Sequence, residues 1–447
     1  MNLATVLHQL ESIPTVTVTG RVIKAVGLTL ESTGTGVSVG QRCHILSHRG
    51  RRTSEGEVVG FREHRVLVMP FGQVRGIQAG DAIRFHPASP HLPVGSAMLG
   101  RVLDGLGQPL DGLAPLVCTR RYPLFAQAPS PMSRIRIADP LDLGVRALNA
   151  MLTCGVGQKV GIFSGSGVGK SVLLGMIARR TAADVNVIAL VGERGREVKE
   201  FIERDLGPEG LKRSVVIAAT SDQSPLVRVR AVFVATAIAE YFRDQGNRVL
   251  LFVDSLTRLA HAQREVGLAA GEPPTSKGYP PSVFNVFPQV LERVGPVPAG
   301  SITGLYTVLV DGDDLNDPIA DTIRSILDGH IVLTRALAVE GHFPAVDVLQ
   351  SVSRVMSDIV PDAHLQASRF LTQLMNEYRQ AKDLIDLGAY QSGTNGRLDV
   401  AIELKGAINR FLRQDRNEQA TLEDSVAGLT GLVEQAKSRL VKKVGTA

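Results

Sequence analysis

The run KVGIFSGSGVGKSVLLG, Lys159 to Gly175, constrains this chain more than any other stretch. An apolar strand, a glycine-rich bend and a helical pattern follow one another without a gap. That order belongs to an α/β layer architecture, and it sets backbone N–H groups where they can hold phosphate. In SGSGVGKS (Ser164–Ser171), Gly165, Gly167 and Gly169 permit backbone angles that aim successive N–H groups at one point. The helix opening near Lys170 adds its positive dipole end. Lys170 can reach β- and γ-phosphates, and the Ser171 hydroxyl can bind magnesium. Ser166, Val168 and Val172 complete the candidate nucleotide-binding run. One departure stands out: where the phosphate-loop pattern begins with glycine, this chain has Ser164. A glycine turn that binds nothing is the alternative, and the strand before and helix after weigh against it.

The same alternation continues around this run. Apolar strands recur at VNVIALVG, SVVIAAT, RVLLFVD, SITGLYTVLV and HIVLTR, with helical patterns such as PLVRVRAVFVATAIAEYFRDQG between them. Buried strands alternating with helices predict a mostly parallel sheet covered on both faces. Upstream the pattern is different. Short β-rich runs separated by glycine turns (TVTVTGRVIKAVGLTL, VSVGQRCHIL, GEVVGF, RVLVMPF, DAIRF) read as a small closed β-barrel. Leu3, Val6, Leu7 and Leu10 fall at helical spacing before Pro14, a short helix that needs the body or a partner to fold against. Beyond Arg369 the strand signal vanishes, and FLTQLMNEYRQAKDLIDL and LDVAIELKGAINRFLRQ read as helices. Four segments follow: a helix at 1–18, a barrel at 19–90, a nucleotide-binding domain at 91–368 and a helical domain at 369–447.

Composition narrows the function classes. Of 447 residues, 44% are hydrophobic and 21% charged, ordinary values for a globular chain. No apolar run is long enough to span a bilayer, and the N-terminus has no secretion signal. Three cysteines (Cys43, Cys118, Cys154) without metal spacing fit a reducing compartment, so the expected location is the cytoplasm. The formal net charge is +5, and Gln41–Arg65 holds six arginines and three histidines against three glutamates. That segment is either a contact for acidic lipid or nucleic acid, or a solvated barrel edge. Aromatics make up 4% and tryptophan is absent, so platforms for stacking bases are scarce and no nucleic-acid partner is expected.

Three further positions carry candidate chemistry. Glu193 lies just past the strand VIALV, at the carboxyl end where α/β sheets place ligands. It can polarise water for attack on a γ-phosphate, or cap a helix. Arg194 beside it is a candidate phosphate contact. Asp254 ends RVLLFVD and fits a carboxylate that holds magnesium through water, or a turn former. In HFPAVDVLQSVSR, Phe343 offers a face for stacking on a base. Arg354 is distant along the chain, either a surface residue or a charge supplied to a neighbouring subunit's transition state.

Together GERGREV, LFVDSLTR, YTVLVDGDDLNDP, ILDGHIVLTR and FPAVDVLQSVSRVM resemble the catalytic-subunit family of rotary ATP synthases. Within it they look most like the ATPases of type III protein export. GEPPTSKGYPPSVF, GDDLNDPIAD and LIDLGAYQSG favour the flagellar branch over the virulence-injectisome branch. The resemblance implies a RecA-like P-loop core, preceded by the barrel and followed by the helical domain. It also implies ATP and magnesium as ligands, handled by a ring of six identical subunits with sites at their interfaces. By the same resemblance Lys170 and Ser171 match the phosphate-loop lysine and magnesium hydroxyl, Glu193 the water-activating acid and Asp254 the magnesium-site acid. Arg354 matches the arginine finger. Phe343 stands where relatives often carry tyrosine against adenine. The Asp313–Asp317 loop resembles a segment touching a central coiled-coil stalk, and Met1–Ser12 a region binding a regulatory export subunit. Export chaperone–substrate complexes and a membrane export gate are the other implied partners, with the chain peripheral to the inner face of the membrane.

Competing readings are an injectisome ATPase, the catalytic subunit of a rotary synthase, a non-catalytic nucleotide-binding subunit and a ring-shaped RNA translocase. Glu193 argues against the non-catalytic subunit, and the scarcity of stacking aromatics against the translocase.

Overall fold

The computed structural model describes residues 18–47, 51–86, 90–310 and 317–444. The helix expected over Met1–Ser12 lies outside the described residues, and so does Asp313–Asp317 except for Asp317.

Six strands, β1 (Thr19–Val26), β2 (Thr29–Ser32), β3 (Arg42–Leu46), β4 (Arg52–Arg62), β5 (Arg65–Pro70) and β6 (Ala82–Phe85), close into a barrel in the order β1-β2-β5-β4-β3-β6. Every pairing is antiparallel. The period-two pattern explains the closure, since alternate side chains such as Val22, Leu30, Ile45, Val68 and Ile83 fill the interior.

The central sheet has nine strands. Eight are β7 (Val102–Asp104), β8 (Lys159–Ser164), β9 (Val185–Val191), β10 (Ser214–Ala219), β11 (Arg248–Asp254), β12 (Gly300–Leu309), β13 (Gly329–Leu333) and β14 (Val352–Ser353). They lie in the order β14-β13-β8-β12-β11-β9-β10-β7, and Gly295–Val297 pairs beside β12. All pairings from β13 to β7 are parallel; β14 and Gly295–Val297 run antiparallel to their neighbours. The strands β9, β10 and β11 are buried on both faces, which is why their sequences read as unbroken apolar runs. Edge strand β7 was not anticipated, because three residues are too few to show a period.

Helix α1 (Lys170–Arg180) leaves the glycine bend. Helix α2 (Pro225–Asp244) starts with the Ser224 side chain accepting from the Val227 N–H, and packs on β9 and β11 with nearly its whole length buried. Two charged residues sit inside that apolar helix. Arg230 reaches the barrel and binds Glu57 of β4, with its guanidinium over the rings of Phe71 (5.3 Å) and Phe125 (5.8 Å). Glu240 binds the buried Arg293 through both carboxylate oxygens (2.8 and 2.5 Å). Helix α3 (Leu256–Ala270) follows β11. The C-terminal helices are α4 (Asp362–Asp386), α5 (Gly396–Leu412) and α6 (Leu422–Val444). The first two were expected, although α4 begins upstream of the predicted pattern. Among the described residues, no helix is long and apolar enough to cross a membrane.

Candidate active site

Parallel register brings the ends of β8, β12, β11 and β9 to one edge. Ser164 pairs with Leu309, Val253 with Tyr306, and Leu190 with Asp254. Side chains just past these ends therefore share one crevice. Gly167 (φ 80°) and Gly169 (φ 90°) take left-handed backbone that other residues resist, and Gly169 caps α1. Val168 is buried in the core and Val172 packs against it, so both face a ligand only through their backbone. Ser166 and Ser171 are exposed on the open side of the bend. The Ser164 side chain is buried, and its hydroxyl has no hydrogen-bond partner.

Lys170 is the centre of a three-charge cluster. Its Nζ lies 2.5 Å from Asp254 Oδ1 and 3.6 Å from Glu193 Oε1. Burial opposes the lysine charge, but the two carboxylates outweigh it and hold the ammonium above its usual value. Burial pushes Glu193 up to about 7 although Lys170 pulls it down; Asp254 and a bond with Glu197 add to the rise. That bond holds Glu197 below the ordinary carboxylate range. On Asp254 both protein bonds, from Lys170 and from the Thr307 hydroxyl (2.6 Å), fall on Oδ1. Oδ2 has no protein partner among the described residues.

Phe343 is 47% exposed, and its ring lies against the glycine bend: a Cβ built on Gly169 would sit 3.4 Å from it. The Gln414 N–H donates to the Phe343 carbonyl (2.9 Å), tying this ring to the segment after α5. Arg194 is exposed, and no hydrogen bond or ion pair joins its guanidinium to the cluster. Arg354 is elsewhere. Its N–H donates to the Asp328 carbonyl, and Asp328 in turn takes the N–H of Lys159, the first residue of β8. The glycine bend is at the other end of that strand, roughly 16 Å away at about 3.3 Å per residue.

Arg258 was missed by the sequence reading. It packs over Gly192, its charge acts on Glu193, and its Nε is buried without a partner. The signal was its place four residues after Asp254, which on a helix leaving a strand end points back toward the crevice.

Three family models match the chain in order: the beta-barrel domain of the ATP synthase alpha/beta family (residues 16–86), its nucleotide-binding domain (144–353), and the T3SS EscN ATPase C-terminal domain (360–431). The chain is 52% identical to the flagellum-specific ATP synthase of Bacillus subtilis, over 92% of this chain and 94% of that one. It is 49% identical to the type 3 secretion system ATPase of Xanthomonas euvesicatoria, over 93% and 94%. The assembled ATPase EscN of the enteropathogenic E. coli type III secretion system superposes with a TM-score of 0.88 at 43% identity, covering 93% of this chain and all of that one. A second structure of EscN, in complex with its central stalk EscO, gives 0.86 at 43% identity, with 93% and 100% covered. With a glycine bend at the start of a helix, two acids gathered on its lysine and these relatives along nearly its whole length, the chain is an ATPase and belongs to the flagellum-specific ATP synthase and type III secretion ATPase family.

Proposed function

We propose that this chain hydrolyses ATP with magnesium as a ring of six identical subunits, energising type III export of flagellar proteins. The observation that carries the ring is the separation along β8. Lys170, Glu193 and Asp254 meet at one end of the strand and Arg354 leaves from the other, so one subunit's Arg354 cannot serve its own phosphates. A head-to-tail interface brings it to the neighbour's site, and a head-to-tail interface whose rotation closes generates a ring.

In that site the backbone of residues 164–172 and Lys170 hold the triphosphate, and Phe343 stacks on the adenine. Ser171 and the unpartnered oxygen of Asp254 would hold the metal. Bound magnesium neutralises phosphate charge. Glu193, as a carboxylate, takes a hydrogen bond from the attacking water and polarises it toward the γ-phosphorus. Lys170, Arg258 and the neighbour's Arg354 stabilise the charge that builds on the leaving oxygens, with Arg194 at the rim.

The relative solved with its central stalk supports a stalk partner for this chain, and the resemblance of Asp313–Asp317 to a stalk-touching segment is the reason to put the contact there. The other partners of this reading are a regulatory export subunit at Met1–Ser12, chaperone–substrate complexes and the membrane export gate. The chain then works in the cytoplasm against the membrane's inner face. The 49% identity to a type 3 secretion system ATPase keeps injectisome-type export as the second reading. Motility and secretion of a deletion strain separate the two.

The test of the ring mixes two inactive variants, Glu193→Gln and Arg354→Ala, and assays ATP turnover while size analysis confirms mixed assemblies. Recovered turnover is expected. Mixed rings without recovery would remove the shared-site mechanism, and near-normal turnover of Glu193→Gln alone would remove Glu193 as the water-activating acid.

A further inference from the structure

Strand β12 contributes a side chain to the crevice that no motif points to. Thr307 is fully buried. Parallel register sets Tyr306 beside Val253, so Thr307 comes level with Asp254. Its hydroxyl has one proton and two acceptors nearby: Asp254 Oδ1 at 2.6 Å and the Val253 carbonyl at 3.4 Å. The shorter contact and the negative acceptor take the proton. A second hydroxyl ties the helix that follows β11 to the end of β12. Thr257, at the start of α3, accepts from the Leu309 N–H (2.8 Å) and contacts the Leu309 carbonyl (3.3 Å). The carboxylate is thus fixed from behind, on a strand that cannot slide without breaking both ties.

We infer that Thr307 is a positioning residue for magnesium: it pins Oδ1 of Asp254 so that Oδ2 stays turned to the metal. The inference rests on the reading of Asp254 as the magnesium-site acid. Lys170 holds the same Oδ1 at 2.5 Å, but that lysine is also the one that turns to the nucleotide. Whenever it does, the Thr307 hydroxyl is the remaining side-chain bond that fixes the carboxylate's rotation. A valine is close to threonine in shape and fits the same buried space, yet it has no hydroxyl to donate to Oδ1, so the carboxylate keeps only the lysine bond and loses that when the lysine turns to the nucleotide. Outer-shell hydrogen bonds of this kind typically change metal affinity roughly 10- to 100-fold.

The experiment compares Thr307→Val, Thr307→Ser and Asp254→Asn in the full chain. Manganese serves as a paramagnetic probe, titrated in the presence of ADP and followed by electron spin resonance. Melting temperature reports folding, and the magnesium dependence of turnover is measured beside it. Thr307→Val should weaken manganese binding about tenfold or more and shift half-maximal turnover to higher magnesium. The KM for ATP at saturating magnesium should stay close to the parent value, and Thr307→Ser should restore both readouts. Parent-like manganese binding in Thr307→Val, alongside weakened binding in Asp254→Asn, overturns the role of Thr307 alone. Parent-like binding in Asp254→Asn overturns the magnesium assignment beneath it. A well-folded Thr307→Ser as poor as Thr307→Val also overturns the inference, since the hydroxyl would then not be the cause.

Discussion

Replacing Arg230 with methionine tests how the barrel is fastened to the nucleotide-binding domain. The side chains of Arg230 and Glu57 are 5% and 8% exposed, and they bind each other directly. Burial pushes the Glu57 carboxyl up, and Arg230 is the first of the charges that oppose it. Without Arg230 the carboxyl takes up a proton on folding, and the cost of doing so depends on pH. An acid raised by folding loses stability as pH climbs past its unfolded value, here 4.5, by at most about 1.36 kcal/mol per unit. The ceiling is therefore about 1.4 kcal/mol at pH 5.5 and about 3.4 kcal/mol at pH 7. The latter matches the roughly 3–5 kcal/mol that removing one partner of a buried pair costs. Lost contacts with the Phe71 and Phe125 rings add about 0.5–1 kcal/mol each at any pH. Hydrogen exchange of amides in β4 and α2, read as opening free energies at both pH values, should show the larger loss at pH 7. Glu57→Leu combined with Arg230→Met should recover most of it, because an apolar pair leaves no charge to strand. A loss equal at both pH values, or a double variant no better than the single one, would refute this account.

Two more expectations concern the site itself. Glu193 must be ionised to polarise water and burial holds it near 7, so kcat/KM for ATP should fall as pH drops below about 7; a flat profile between pH 5.5 and 8.5 would contradict that. Phe343→Ala should weaken ATP binding by about 1–3 kcal/mol, roughly 5- to 150-fold, while Phe343→Tyr keeps parent affinity; fluorescent-nucleotide titration decides it, and equal affinity in the alanine variant rules out stacking.

Much of the fold was legible because period and burial coincide. The runs KVGIFS and RVLLFVD became strands with the same bounds, Lys159–Ser164 and Arg248–Asp254, since both faces of each are covered. Lys170, Glu193 and Asp254 could be gathered in advance, because carboxyl ends of parallel strands share one edge whatever the strand order. What escaped notice depends on order and register. Thr307 reads as one more β-branched strand residue until β12 is known to lie beside β11. Arg230 reads as a surface cation in VRVRAV until the barrel, 173 residues earlier in the chain at Glu57, is found against it. Arg354 could be singled out from its motif, but only resemblance favoured it over an ordinary surface arginine; that it starts from the wrong end of β8 for its own site is a fact of three dimensions.

That placement of Arg354 has a countable consequence. Under the proposed pairing each subunit offers one arginine and needs one, in a fixed direction. An open pair then completes one site out of two, an open trio two out of three, and only a closed ring leaves no subunit waiting. Specific activity per chain would rise with every subunit added and level off at closure, so turnover itself would report whether the ring is shut.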